Sequence, residues 1–536
     1  MKSKREKIKL FILITLVIIG IIYMFLAYNN GWLRFAIVYS GIIIACLVVI
    51  SRTDLTKQGM RDESRKDNAD PDCRRDVPVP DCRRDVPVPI KEEKQKDVRF
   101  LVILFLAALL IRIVFSLMIH VNSVDNGAKG YFYKYVYNRG NDDEYYDLTG
   151  RAISNAWENG KLLDFPSIMK YRGSVHVGYN IFVGFIYLVC GRNIIFGKLI
   201  NALLGAMVVV YIFFIGRVIF GRNVARLASI LCALDTYMVF FGGFLYKDIL
   251  ITFLCVFSIW HFIKFRNEGS KWSLLYMILA IFFEFFNRSY MGAALAVGVI
   301  GYFLVFAAPK EGMRRVIYFV IILVLSSPFV YIFYRLAKSQ LTSNVVRVKT
   351  EGGKTENTGV GDTRVFSPKR LSKNLLRIFF SPIPWRNLKD SWENVFYWIY
   401  PGRLLWYVFL PFFFVGAYYS LRHGFRDVFV PAAVMFSYIV VLMIIMQTAY
   451  RHQAPIVPLM FLTASAGFCR VRDPLLPYII YLPCLSMFFF YDNDMLKPGA
   501  IIMFGLGMAF LAYVGIMYLK KRRMTEAESR KSEVGG

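Results

Sequence analysis

Lys198–Arg226 reads KLINALLGAMVVVYIFFIGRVIFGRNVAR. Between Lys198 and Arg217 there is no charged residue, and Arg217, Arg222 and Arg226 then follow in close succession. About 20 apolar residues suffice to cross a hydrocarbon core of about 30 Å as a helix, and a helix satisfies its own backbone hydrogen bonds there. A short basic turn behind such a run marks the cytoplasmic end of a span.

The rest of the chain repeats this pattern. Of its 536 residues, 57% are hydrophobic and 17% aromatic, only 19% are charged, and the apolar residues come in long unbroken runs. The class implied is an all-α polytopic membrane protein. The net charge of +28 sits in short Lys/Arg segments between apolar runs, as topology signals do, which argues against a nucleic-acid partner. Cys46, Cys190, Cys232, Cys255, Cys469 and Cys484 lie in or beside apolar runs, and Cys73 and Cys82 in a polar segment, with no disulfide or zinc-finger spacing.

Placing each basic cluster inside gives a self-consistent threading. Residues 1–50 form a transmembrane hairpin. Residues 51–98 are a polar cytoplasmic linker, expected to be disordered, that holds the tandem nonapeptide PDCRRDVPV at 71–79 and 80–88. A membrane domain spans 99–520, with external loops at about 120–195 and 337–398, and a cytoplasmic tail follows at 521–536. Phe100–Met118 runs outward, Lys198–Ile219 returns, Leu227–Leu245 goes out and Ile249–Phe265 comes back. Two shorter runs flank NRSYMG, Val316–Leu336 exits, and further helices turn at RHGFRD, YRHQAP, CRVRD and YDNDMLK. The total is about 14 spans with both termini cytoplasmic.

The first large external loop holds YNRGNDDEYYDLTGRAISNAWENGK, Tyr137–Lys161, with Asp142, Asp143, Glu144 and Asp147 together. Tyr145, Leu148, Ala152, Ile153, Ala156 and Trp157 recur at three- and four-residue steps, and Gly160 stands where a helix would end. This predicts an amphipathic helix on the outer membrane surface. Carboxylates at its start would cap free N–H groups and complement the helix dipole. Alternatively they are chemical groups, because Lys247 and Asp248, Arg288, and Arg451 with His452 fall at short turns on the same side. A carboxylate can deprotonate an incoming hydroxyl while Arg or Lys holds the charge on a departing lipid phosphate. Snorkelling to headgroups is the competing reading of each cation.

These residues carry a resemblance. NDDEYYDLTGRAISNAWENG resembles the acidic motif of the GT-C superfamily of polyprenyl-phosphate-sugar-dependent glycosyltransferases, near its protein O-mannosyltransferase and aminoarabinose transferase branch. The family's Asp-Glu pair falls on Asp143 and Glu144, with Tyr146, Ala152 and Gly160 behind it. HVGYN, which contains His176 and Tyr179, precedes a Gly-bearing helix, a basic turn and an outward helix ending at Asp248. AYRHQAPIVPLMFLTASAGF resembles the late segment near the lipid phosphate, with Arg451 as its phosphate contact. His452 and Lys247 depart from the commonest pattern and leave the donor's headgroup open. The likeness covers residues 100 to 470.

The resemblance implies a GT-C-like core and a membrane enzyme of the cell envelope, active on the external face of the cytoplasmic membrane. Its donor would be a polyprenyl-phosphate-linked sugar, and its acceptor a glycan, lipid or protein hydroxyl. Asp143 is the expected base, with Glu144 and Asp248 orienting it. Arg451, Arg288, Lys247 and His452 are expected at the donor phosphate, and Asp142, Asp147, His176 and Tyr179 in the loop beside donor and acceptor. Oxygen ligands of this kind would suit Mg²⁺ or Mn²⁺, although no His/Cys cluster demands a metal. Two alternatives stand beside this. The basic loop SPKRLSKNLLRIFFSPIPWRNLKDSW would suit a lipid-linked polysaccharide polymerase or ligase. A transporter or flippase would need ionisable residues at mid-span and inverted repeats.

Overall fold

The computed structural model describes residues 90–125, 142–161, 177–307, 396–445 and 450–471, with isolated positions besides. Among them there is helix and no strand. In chain order the helices are α1 (Ile90–Asp125), α2 (Asp142–Glu158), α3 (Val177–Cys190), α4 (Ile194–Ile219), α5 (Arg222–Leu234), α6 (Thr236–Gly243), α7 (Asp248–Glu268), α8 (Lys271–Asn287), α9 (Ser289–Tyr302), α10 (Phe396–His423), α11 (Phe425–Ile445) and α12 (Val457–Phe468). A 3-10 turn, Tyr450–Ile456, precedes α12.

Six of these helices are long and apolar enough to cross a membrane, and seven spans result if α5 and α6 form one. The expected hairpin at 1–50, most of the linker, Val316–Leu336, nearly all of the 337–398 loop, the spans after CRVRD and the tail lie outside the described residues. The polymerase reading rested on that loop.

Helix α4 is the axis of the arrangement. Its apolar window is 89% buried in protein, against 39% for α1. Helix α1 therefore turns Ile103, Leu110 and Val114 outward, as a lipid-facing helix does. The chain divides into two compact units, one of Met1–Trp406 with Gly424–Leu462 and one of Tyr407–His423 with Thr463–Gly536. In the second, Gly416 lies against the Thr463 carbonyl and Gly467 against the Phe412 carbonyl. Small residues allow this close backbone approach between membrane helices.

Two expectations need correction. In place of the single outward span expected over Leu227–Leu245, the chain bends by 53° between α5 and α6. The break has local causes. Asp235 caps α6 by accepting the Met238 N–H at 3.2 Å. The α5 carbonyls of Cys232 and Ala233, which the break leaves without helical partners, accept Arg112 Nη2 and Nη1 at 3.2 and 3.5 Å.

Helix α2 forms where expected, and Gly160 ends it with φ 71°, a conformation that favours glycine. Its inward face is different, however. Asp143, Tyr146, Asp147, Gly150, Ile153 and Ser154 are buried, while Leu148 is exposed. Glycines set this geometry, since a Cβ on Gly184 would lie 2.6 Å from Ile153 Cγ2 and one on Gly150 2.5 Å from Val183 Cγ1. The helix is clamped to α3 with its carboxylates facing protein, because partners for them wait there.

Candidate active site

The site forms where helices break. Arg288 stands between α8 and α9 in extended backbone, φ −153° and ψ 92°, and its side chain turns inward to 1% exposure. Its Nη2 donates to Asp248 Oδ1 at 2.6 Å and its Nη1 to the Tyr438 hydroxyl at 3.2 Å. Asp248 is the first residue of α7, and Lys247 precedes it as the N-cap without a side-chain cap bond. The Tyr438 hydroxyl donates in turn to the His452 carbonyl at 2.8 Å. Tyr290 stacks on Tyr438 and places its hydroxyl 3.0 Å from His452 Nδ1. The 3-10 turn is held on its other side by Arg403, which donates to Gln453 Oε1 at 2.6 Å. NRSYMG, FLYKDIL and TAYRHQAP, far apart in sequence, are thus joined by hydrogen bonds.

The acidic loop reaches the same place through Tyr179. This tyrosine is fully buried, packs edge-on to Tyr146 at 4.7 Å, and lies within electrostatic reach of both Asp143 and Asp248. Its hydroxyl accepts Asn201 Nδ2 at 2.8 Å. The same amide group donates to the carbonyls of Phe244 and Tyr246 at 2.7 and 2.9 Å, fixing the segment that delivers Lys247 and Asp248. Lys198, one turn before Asn201 on α4, is fully buried, sits 5.6 Å from the Phe244 ring, and is within electrostatic reach of Asp143 and Asp147.

Asp143 is fully buried, and its Oδ1 accepts the Glu144 N–H at 3.0 Å. Glu144 and Asp142 are half-buried. Asp147 has a different setting, with Oδ1 accepting the Tyr187 hydroxyl at 2.5 Å and Oδ2 accepting Arg151 Nε at 2.9 Å. Burial first, and then the adjacent Asp147 carboxylate, pushes the Tyr187 phenol well above its ordinary value. Asp147 therefore anchors α2 to α3. The capping explanation covers the acidic first turn of α2 in part, but it does not explain why Asp143 and Asp147 are wholly removed from water.

The structure thus gathers Asp143, Glu144, Tyr179, Lys247, Asp248, Arg288 and His452. His176 and the Arg451 side chain lie outside the described residues. Sequence reasoning passed over Lys198, Asn201, Glu284, Tyr290 and Tyr438. The signal for three of them was visible, as polar residues inside apolar runs: Lys198 and Asn201 in FGKLINALL and Glu284 in FFEFFN. Glu284 is fully buried and within electrostatic reach of Arg288, Lys247 and Asp248.

Among the described residues no three His, Cys, Asp or Glu side chains gather as metal ligands. Asp248 is engaged by Arg288, and Asp147 by Arg151 and Tyr187. Three cations, Lys198, Lys247 and Arg288, lie within electrostatic reach of the carboxyl groups of Asp143, Asp248 and Glu284. Such a site is equipped both to hold an anion and to take a proton.

Residues 177–332 match the family model described as dolichyl-phosphate-mannose-protein mannosyltransferase. The match begins at α3 and contains Tyr179, Lys198, Asn201, Lys247, Asp248, Glu284 and Arg288. The crystal structure of ArnT from Cupriavidus metallidurans bound to undecaprenyl phosphate is similar over 79% of this chain and 72% of that one, at 14% identity and a TM-score of 0.41. No curated protein matches the chain.

Proposed function

We propose that the chain is a membrane glycosyltransferase of the GT-C type, a reading that the family-model match over residues 177–332 supports, and that it moves a sugar from a polyprenyl phosphate to an acceptor hydroxyl on the external face of the cell membrane. The observation that carries this reading is the buried Arg288–Asp248 pair, joined to the late motif through Tyr438, with Tyr179 within electrostatic reach of both Asp248 and Asp143.

The reaction is a single displacement. The Asp143 carboxylate takes the proton of the acceptor hydroxyl while that oxygen bonds to the anomeric carbon. The bond from the anomeric carbon to the phosphate oxygen breaks on the opposite side, and its electron pair leaves with the lipid phosphate, so configuration inverts. Base catalysis of this kind is typically worth about 100- to 10,000-fold. Arg288 and Lys247 meet the charge developing on the phosphate, with Arg451 and His452 supplied by the 3-10 turn. Phosphate leaves readily, so no general acid is needed. Glu144 and Asp248 orient the base and the acceptor, which is a hydroxyl of a glycan, lipid or protein.

The assignment to the external face rests on α4. Lys198 is at the site and Arg217 is 19 positions further along the same helix, about 28 Å away at 1.5 Å per residue. The basic turn therefore lies roughly one hydrocarbon thickness from the site, and basic turns stay inside. Purified protein supplied with synthetic polyprenyl-phosphate sugars and the acceptor pool of the membrane is expected to transfer label. In a cysteine-free background, Asn159→Cys in the turn after α2 is expected to react with an impermeant thiol reagent in intact cells. Reaction only after permeabilisation would move the site to the other face.

A further inference from the structure

The opposite end of α4 holds an arrangement that sugar transfer does not use. Asp97 of α1 is buried at 1% exposure. Its Oδ1 accepts Arg222 Nε at 2.6 Å and Arg226 Nη2 at 2.9 Å, and Arg217 Nε lies 3.6 Å from its Oδ2. The three arginines come from the end of α4 and the start of α5. Each is held in place, yet their side chains keep 22–33% exposure. Three guanidinium groups thus converge on one buried carboxylate. Lys96 and Arg99 stand exposed on the same end of α1.

Three features give this cluster a direction. Asp97 lies just inside the start of the Gln95–Val121 span and Arg217 just inside the end of Ile194–Ile219, which places it at the boundary between hydrocarbon and headgroups. Helix α5 begins at Arg222 itself, its N-cap Gly221 has φ 92° and no side-chain cap bond, and helix N-termini favour anions. Arg226 lies 5.1 Å over the Phe100 ring, and its buried Nε has no hydrogen-bond partner among the described residues. A topology signal alone needs only positive charge in a loop. Here the charges are fixed around one buried carboxylate, and guanidinium forks match phosphate oxygens.

We infer that Arg217, Arg222 and Arg226, braced by Asp97, form a binding site for the phosphodiester of an anionic phospholipid headgroup on the membrane face opposite the active site. The inference does not depend on the proposed reaction, because neither the lipid nor the arginines touch it.

The test titrates the full-length protein, purified in zwitterionic detergent, with phosphatidylglycerol, phosphatidylcholine or inorganic phosphate, and reads bound lipid by native mass spectrometry and the unfolding midpoint by heating. Phosphatidylglycerol is expected to bind and raise the midpoint, and the other two to do neither. Each arginine removed is expected to weaken binding about fivefold, so Arg226→Gln loses about fivefold and Arg222→Gln/Arg226→Gln about 25-fold. Unchanged binding in these variants overturns the site. Equal stabilisation by inorganic phosphate overturns the lipid assignment in favour of a free-anion site. If the double variant unfolds, the triple variant that adds Asp97→Asn removes the carboxylate with its partners and is expected to show the same loss. Photoactivatable phosphatidylglycerol on wild-type protein is expected to label 95–100 or 217–226, and labelling confined elsewhere overturns the proposal.

Discussion

Arg288 and Asp248 form an ion pair at 2.6 Å with neither side chain more than 2% exposed, tying the α8–α9 break to the first turn of α7. Removing one partner of a buried pair strands the other charge, at about 3–5 kcal/mol. Arg288→Gln is therefore expected both to lower the thermal unfolding midpoint and to abolish transfer. Asp248→Asn/Arg288→Gln is expected to recover most of the midpoint and none of the transfer. Recovery of both would reduce the pair to a structural brace.

Lys198 is a fully buried cation within electrostatic reach of Asp143. Lys198→Met keeps the apolar stem and removes the charge. We expect transfer to fall by about 100-fold, the typical loss for one preorganised electrostatic group, with the protein still folded. A Lys198→Arg variant that restored activity would show that charge alone is required at this position.

The Tyr187–Asp147 bond makes stability depend on alkaline pH. The folded-state phenol is raised above the unfolded value of about 10, so the stabilisation is complete below that value. It is lost as pH climbs above it, because the unfolded chain then gives up a proton that the folded one retains. Thermal scans from pH 8 to 11 should show wild type losing its advantage over Tyr187→Phe above about pH 10. At neutral pH, Tyr187→Phe is expected to cost about 1–3 kcal/mol.

Gly184 and Gly150 bring α2 against α3. A methyl on Gly184 would meet Ile153 Cγ2 at 2.6 Å, an overpacking expected to cost about 1–3 kcal/mol. Gly184→Ala should raise hydrogen exchange across α2 and slow transfer. Adding Ile153→Val should restore part of both.

How far the sequence reaches can be judged from these same residues. Uncharged runs ending in basic turns locate α4 and α7 to within a few residues, since burial in lipid leaves only that pattern. Gly160 ends α2 because its φ is positive. What periodicity missed is the face of α2 that turns inward. Leu148 appeared to belong to the apolar side, but Tyr187 and Lys198 give the carboxylates partners that only the fold supplies. The bend at Asp235 escaped for a similar reason. Its freed carbonyls are satisfied by Arg112, 120 and 121 positions before the carbonyls it binds. Lys198 passed as the edge of a span, although a charge inside an apolar run is itself the signal of a site.

The central claim is that Asp143 is the base. The most direct test compares wild type with Asp143→Asn for transfer from a panel of labelled polyprenyl-phosphate sugars, in membranes with matched expression and with donor binding measured separately. Asp143→Asn is expected to lower transfer by about 100- to 10,000-fold while the donor still binds. Equal transfer by both proteins would contradict it and return the acidic cluster to the capping of α2.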